Sequence, residues 1–294
     1  MIKQLPECFE LKDAQLVGNF ENGSPEWHEA RKGSVGGSQV GAILGLNPWQ
    51  SAITSYYKAI GEIPDDLEPS MAMRIGTKLE DDILEIFAEE HPEYKVFETG
   101  TWASKAEPRF HANPDALFMD ADETMGVVEI KFSRDYWTEV PKHYRAQVLW
   151  YCHVLGLKKG ILVALAGSTY QEFVVEYDEF EVQSMVAGVR RFLNAVDNRT
   201  QPEWDGSNST YETMRAINPN IDADAEPVEL GDLGADLVVQ QMNLKREEEK
   251  YRELQSRTLA LMGTAKFGAV AGQVIVQRQQ RGAYAPHLTF KRSK

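Results

Sequence analysis

Between Arg74 and Glu90 the apolar residues Ile75, Leu79, Ile83 and Phe87 recur every fourth position, with Leu84 and Ile86 beside them, and His91-Pro92 follows. The spacing predicts an amphipathic helix that the His-Pro step ends. Its outward positions are Asp81, Asp82, Glu85 and Glu89, whereas Glu80 shares the face of Leu84 and Phe87. Upstream, Gly33, Gly36, Gly37, Gly41 and Gly45 punctuate residues 25–60, predicting helix, glycine-rich turn and helix, broken at Asn47-Pro48. From 94 to 132 the runs YKVFETGTW, RFHANPDALFMD and GVVEIKF predict strands of one mixed sheet. Pro141 then opens a helix that Gly156 stops, strands GILVALAG and YQEFVVEYD turn at Ser168-Thr169, and residues 179–198 form another helix.

After about Trp204 the pattern changes. Residues 217–232 hold five acidic residues, no basic ones and two prolines, which is linker chemistry. Leu230, Leu237, Leu244 and Tyr251 then fall every seven residues, with Leu233, Leu254 and Leu261 at the partner spacing and Gln240 and Glu247 interrupting that row. These features predict a core over 1–210, an acidic linker over 211–232, and an amphipathic helix with a small basic β-hairpin over 233–294.

Composition narrows the class. The 294 residues are 43% hydrophobic and 26% charged, enough for a packed core and against disorder. No apolar run approaches the ~20 residues of a membrane span, and the N-terminal residues do not have the pattern of a secretory signal. Two cysteines, Cys8 and Cys152, are too few for a disulfide scaffold or a Cys-rich metal site, so a reducing cytoplasm is expected. A net charge of −14 argues against a broad nucleic-acid-binding face. However, residues 278–294 carry Arg278, Arg281, Lys291, Arg292 and Lys294 with no acid.

The run Val127-Val128-Glu129-Ile130-Lys131 carries the chemistry. In a strand Glu129 and Lys131 share one face while Val128 and Ile130 enter the opposite layer, so an apolar strand sets an acid beside a base. Burying either alone costs several kcal/mol, so each needs the other or an ion. Asp115, in Asn113-Pro114-Asp115-Ala116, opens a neighbouring strand. Carboxylates without a His or Cys cluster suit Mg²⁺ or Mn²⁺, and the Ile130 carbonyl would add an oxygen. A hard dication with a lysine able to activate water points to phosphodiester hydrolysis. The bland alternative is a surface ion pair on an edge strand. Gln147 lies on the helix after Pro141, between Tyr144 and Tyr151, either as a hydrogen-bonding platform or as a packing amide. Trp27, His28 and Arg31 precede Gly33-Ser34-Val35-Gly36-Gly37-Ser38, where Ser38 fits a helix N-cap and a guanidinium would complete an anion site.

Together, W-H-x-x-R…G-G-S from Trp27 to Ser38, G-x-x-x-E from Gly76 to Glu80, N-P-D-A from Asn113, E-I-K from Glu129 and the Gln147–Tyr151 helix resemble the λ-type exonucleases, or YqaJ-type viral recombinases, of the PD-(D/E)xK superfamily. The resemblance implies an α/β restriction-endonuclease-like core, a central mixed sheet flanked by helices. It implies Mg²⁺-dependent 5′ to 3′ digestion of linear duplex DNA, leaving 3′ strands for an annealing protein, and a homotrimeric ring around DNA. It assigns Asp115, Glu129, the Ile130 carbonyl and Glu80 to the metal, Lys131 to the attacking water and Gln147 to the site. Arg31, Ser38, Trp27 and Tyr151 are assigned to the 5′-phosphate and DNA. A phage or prophage protein in a bacterial cytoplasm follows. Two rivals stand beside this reading: a site- or structure-selective endonuclease on the same fold, and a non-catalytic DNA-end or partner-binding protein.

Overall fold

The computed structural model describes all residues except 1, 7, 8, 21, 22, 65–69, 281 and 292–294, and it divides into two compact units, Met1–Ile221 and Asp222–Lys294. Cys8, Arg281, Arg292 and Lys294, named above, lie outside the described residues.

The first unit is built on a six-stranded mixed sheet in the order β1 (Lys3–Gln4), β3 (Lys95–Glu98), β6 (Ala116–Met119), β7 (Met125–Ser133), β8 (Lys159–Ala166) and β9 (Thr169–Glu176). β1 lies parallel to β3 and β7 parallel to β8, and the other neighbours are antiparallel. A second sheet joins β2 (Ala14–Gly18), β4 (Thr101–Ser104) and β5 (His111–Ala112). The single sheet expected over 94–132 is therefore two. The chain leaves the large sheet at Gly100 and returns at Asn113-Pro114-Asp115. At Gly100 a Cβ would overlap Asn19 Oδ1 and the Gly18 carbonyl, so the crossing needs glycine.

Three helices, α1 (Pro25–Arg31), α2 (Gly37–Ile43) and α3 (Ala52–Ala59), replace the two expected before residue 60. Asn47 Oδ1 accepts from the amides of Trp49 and Gln50 at 2.8 and 3.2 Å, so Asn47-Pro48 turns the chain into α3 instead of ending the region. α4 (Met71–Glu90) packs Ile83, Leu84 and Phe87 on one face of the large sheet, against Ala116, Phe118, Val128 and Ile130. α5 (Lys142–Leu155) and α6 (Glu179–Asp197) cover the other face, over Leu117, Val127 and Leu162. α5 links the parallel strands β7 and β8, starts after Pro141 and stops at Gly156, whose φ of 71° is the left-handed geometry of a glycine cap.

α7 (Asn208–Ile217) crosses the boundary expected at 210. Its buried Thr210 and Thr213 hydroxyls bond Ser51 Oγ and Thr54 Oγ1 at 2.8 Å each, tying the helix to α3. That polar seam has no apolar stripe to announce it.

In the second unit, α8 (Gly231–Met262) spans the seven-residue repeat and buries none of its residues. It is followed by β10 (Phe267–Val270), β11 (Gln273–Gln279) and β12 (His287–Phe290), an antiparallel sheet with one strand more than the expected hairpin. Among the described residues no helix is long and apolar enough to cross a membrane.

Candidate active site

Strand alternation along β7 decides the first arrangement. Val128 and Ile130 enter the α4 layer, and Glu129, 1% exposed, faces the opposite layer. There Lys131 Nζ donates to Glu129 Oε1, and so does Gln147 Nε2, which also bonds the Tyr151 hydroxyl at 2.9 Å. Gln147 and Tyr151 are one turn apart on α5, and both are buried. The register that pairs Ala116 with Val128 brings Asp115 to the same end of β7, where its Oδ2 accepts from the Ile130 amide at 2.6 Å.

Glu80 reaches this point from α4. It lines a cleft of about 160 Å³ with Phe20, Asn113, Asp115 and Ile130. Asp81, expected to face outward, is exposed and also lines the cleft. Asn113 Oδ1 accepts from Thr101 Oγ1 at 2.5 Å and fixes the turn that delivers Asp115.

The electrostatics follow from burial of like charges. Desolvation first, and the Asp115 carboxylate second, push the Glu129 carboxyl up to about 8. Burial also raises Asp115 against the pull of Lys131 and the Ile130 amide, and burial with Asp115 raises Glu80. Burial opposes the Lys131 charge, but Glu129 and Asp115 outweigh it and hold the ammonium above the ordinary lysine value. Were all three carboxyls ionised beside the one lysine, two negative charges would remain, which one dication would neutralise.

The donor set fits such an ion. Glu129 Oε2 is buried without a hydrogen-bond partner, while Oε1 is held by Lys131 and Gln147. A buried carboxylate oxygen left bare is costly unless a proton or a cation takes it, and a dication would displace the proton. The Asp115 carboxyl interacts with Glu129 directly. In an extended strand the N–H and C=O of one residue face the same edge, so the Ile130 carbonyl points the way of its amide, towards Asp115. Among the described residues no three His, Cys, Asp or Glu side chains close into a ready-made shell, so Glu80 stands beside the carboxylate pair without completing one. Two carboxylates and remaining waters are what Mg²⁺ commonly takes.

A second cluster adjoins the first. The Tyr151 ring lies against Gly37, where a Cβ would overlap it, and the Arg31 guanidinium lies against Gly36 in the same way. Arg31 also stacks on Trp27 at 4.0 Å, and Trp27 Nε1 is buried without a hydrogen-bond partner. One path of contacts thus runs from Glu129 through Gln147 and Tyr151 to Gly37, Gly36, Arg31 and Trp27. Ser38 is not the N-cap expected of it. α2 begins at Gly37, the Gly36 amide donates to Gln39 Oε1 at 2.9 Å, and Ser38 sits exposed at the second helical position. Its place is set by the close approach of Arg31 and Tyr151, which requires both glycines to precede it.

His111, unassigned by the sequence, backs Arg31. Its Nδ1 is 3.2 Å from Ser34 Oγ and its Nε2 is 3.0 Å from the Pro108 carbonyl, and burial, aided by the Arg31 charge, lowers its pKa. No sequence spacing connects residues 34, 108 and 111 in this way.

Residues 26–158, which contain both clusters, match the YqaJ-like viral recombinase domain. YqaJ of Bacillus subtilis (strain 168) is 24% identical over 270 residues, covering 87% of this chain and 83% of that protein. The alkaline exonuclease LHK-Exo from Laribacter hongkongensis superposes with a TM-score of 0.52 at 22% identity, covering 67% of this chain and 100% of its own. Its complex with dAMP superposes with the same TM-score at 21% identity and the same coverage. At these identities the likeness establishes the fold alone: the matched residues lie within a mixed α/β core like that of the alkaline exonuclease.

Proposed function

We propose that the protein is a Mg²⁺-dependent nuclease that digests linear double-stranded DNA from 5′ ends and leaves 3′ single strands, with Mn²⁺ able to substitute. The observation that carries this is the buried, partnerless Oε2 of Glu129 beside Asp115, with Lys131 on the other oxygen. The YqaJ-like domain and a fold shared with a protein named as an exonuclease support it.

A Mg²⁺ held by Asp115, Glu129 and the Ile130 carbonyl would polarise the scissile phosphodiester and lower the pKa of an attacking water. Lys131 stays protonated, holds Glu129 in place, and presents positive charge where the phosphate gains negative charge in the transition state. Gln147 fixes the rotamer of Glu129, and Glu80 closes the cleft wall where it would orient water. Arg31, flattened on Trp27, offers a guanidinium to a terminal 5′-phosphate, with Tyr151 and the Ser38 hydroxyl as its neighbours. In this reading the protein encloses duplex as a homotrimeric ring and passes its 3′ strand to an annealing protein.

A gel assay with Mg²⁺ on four substrates tests the proposal: linear DNA with a 5′-phosphate, linear DNA with a 5′-hydroxyl, a nicked circle and a closed circle. Digestion of the linear 5′-phosphorylated substrate with the closed circle intact is expected. Cutting of the closed circle would make it an endonuclease, and binding without cutting would make it an end-binding protein.

A further inference from the structure

The C-terminal sheet has a face that the nuclease chemistry does not use. From Leu254 to Lys294 the sequence has seven basic residues and no acidic one, within a chain whose net charge is −14. Arg278 is already engaged, since its Nη1 donates to the Gly263 carbonyl at the end of α8. The two faces of the sheet differ. Val276 is buried, and Gly268, paired with it, lies against Met262 of α8. The register sets Phe267, Gln277 and Thr289 in one row across the opposite face, with Ile275 and Lys291 in the next row and Gln279 paired with His287 in the one before. The Phe267 side of this row is open, at 45% exposure, and the Lys266 and Lys291 ammoniums lie 5.3 and 5.2 Å from its ring centre.

We propose that this face, Phe267 with Lys266, Lys291, Gln277 and Thr289, is a binding site for single-stranded DNA. An exposed ring bracketed by two ammoniums offers what an unpaired strand provides and a duplex hides: a free base face flanked by phosphates. The cations that now sit near the ring would move to phosphate, and the base would take the ring face. The side-chain amide of Gln277 lies in the same row to bond sugar or base edges, and the Thr289 hydroxyl, whose hydrogen is directed to the Gln277 carbonyl at 3.4 Å, can accept there. A β-sheet face with no carboxylate lets a polyanion approach although the rest of the chain is acidic. That the strand is the one left by digestion rests on the nuclease reading. The binding itself does not.

The test uses the full chain in chelator, so that no cleavage occurs, with a labelled thymidine strand of about 20 nucleotides and anisotropy read across salt concentrations. Phe267→Ala is expected to weaken binding roughly tenfold at every salt concentration without changing the salt slope, because stacking is not ionic. Lys266→Gln with Lys291→Gln is expected to weaken binding and to flatten the slope by about 1.4, two phosphate contacts at about 0.7 each. Phe267→Trp should retain or tighten binding, and circular dichroism checks that each variant folds. Unchanged affinity in folded Phe267→Ala overturns the site. So does polyglutamate binding as tightly as the thymidine strand, or duplex affinity falling as much as single-strand affinity in Phe267→Ala, either of which would make the face a general acceptor of anions. A protein that fails to digest DNA yet shows the Phe267 effect would sink the nuclease reading and leave this one standing.

Discussion

Gln147 donates from one amide nitrogen to Glu129 Oε1 and to the Tyr151 hydroxyl, and so joins the carboxylate cluster to the Arg31 cluster through a single buried side chain. If that bridge sets the Glu129 rotamer, removing it should loosen the metal site more than the fold. Gln147→Ala is expected to lower Mn²⁺ affinity by about 10- to 100-fold, the usual cost of losing a partner behind a metal ligand. Titration calorimetry with Mn²⁺ reads this directly, and an unchanged affinity would leave Gln147 as a packing amide.

Lys131→Ala should abolish cleavage while leaving binding of duplex ends nearly intact, because its partners are carboxylates on the same cluster. Normal digestion of 5′-phosphorylated linear DNA by this variant, with Mg²⁺ present, would remove Lys131 from the chemistry.

The raised carboxyl of Glu129 gives a pH dependence with a definite sign. The folded protein without metal binds a proton there up to about pH 8, whereas an unfolded chain releases it near the ordinary glutamate value. Stability of the metal-free protein is therefore fully credited with this proton below about pH 4.5 and falls as pH rises towards about 8. A dication that takes Oε2 expels the proton, so metal affinity should rise over the same range with proton release. Thermal melts with and without Mn²⁺ from pH 5 to 9 check it: the gain from metal should widen with pH, and Glu129→Gln should remove the trend.

Gly36→Ala and Gly37→Ala separate the two clusters. The Cβ at Gly36 meets the flexible end of Arg31, so the fold should tolerate it while preference for 5′-phosphate over 5′-hydroxyl ends falls, as it should in Arg31→Ala. The Cβ at Gly37 meets the ring of buried Tyr151, which has less room to move, so a loss of about 1–3 kcal/mol of stability is expected together with lower activity. Denaturant melts and the two-substrate digestion assay distinguish these outcomes. An unaltered end preference in both Gly36→Ala and Arg31→Ala would remove this cluster from end recognition.

Salt should weaken duplex binding less steeply than for a protein with a broad basic face, because the described basic residues that meet DNA in this reading are few and local. A slope of log affinity against log salt near that of lac-repressor-like proteins, about −10, would contradict it.

The local pattern of the chain determined a good deal. Alternation in Val127–Lys131 was enough to set Glu129 and Lys131 on one face, since that periodicity is a property of the extended backbone. Helical spacing turned Glu80 towards Leu84 and Phe87, and Pro141 with Gly156 bounded the helix that carries Gln147 and Tyr151. What lay beyond reach was whatever depends on how distant segments meet. The strand run from 94 to 104 is continuous in pattern but changes sheets at Gly100, because the bend is fixed by the crowding of Asn19 and Gly18, far away in sequence. Ser38 has the chemistry of an N-cap, yet the start of α2 is set by Arg31 and Tyr151 closing on Gly36 and Gly37. α7 is held by hydroxyls bonded to Ser51 and Thr54, a contact with no hydrophobic signature. Periodicity records which way a side chain points from its own backbone; the bare oxygen of Glu129 and the bridge through Gln147 exist only once strand, helix and turn are packed together.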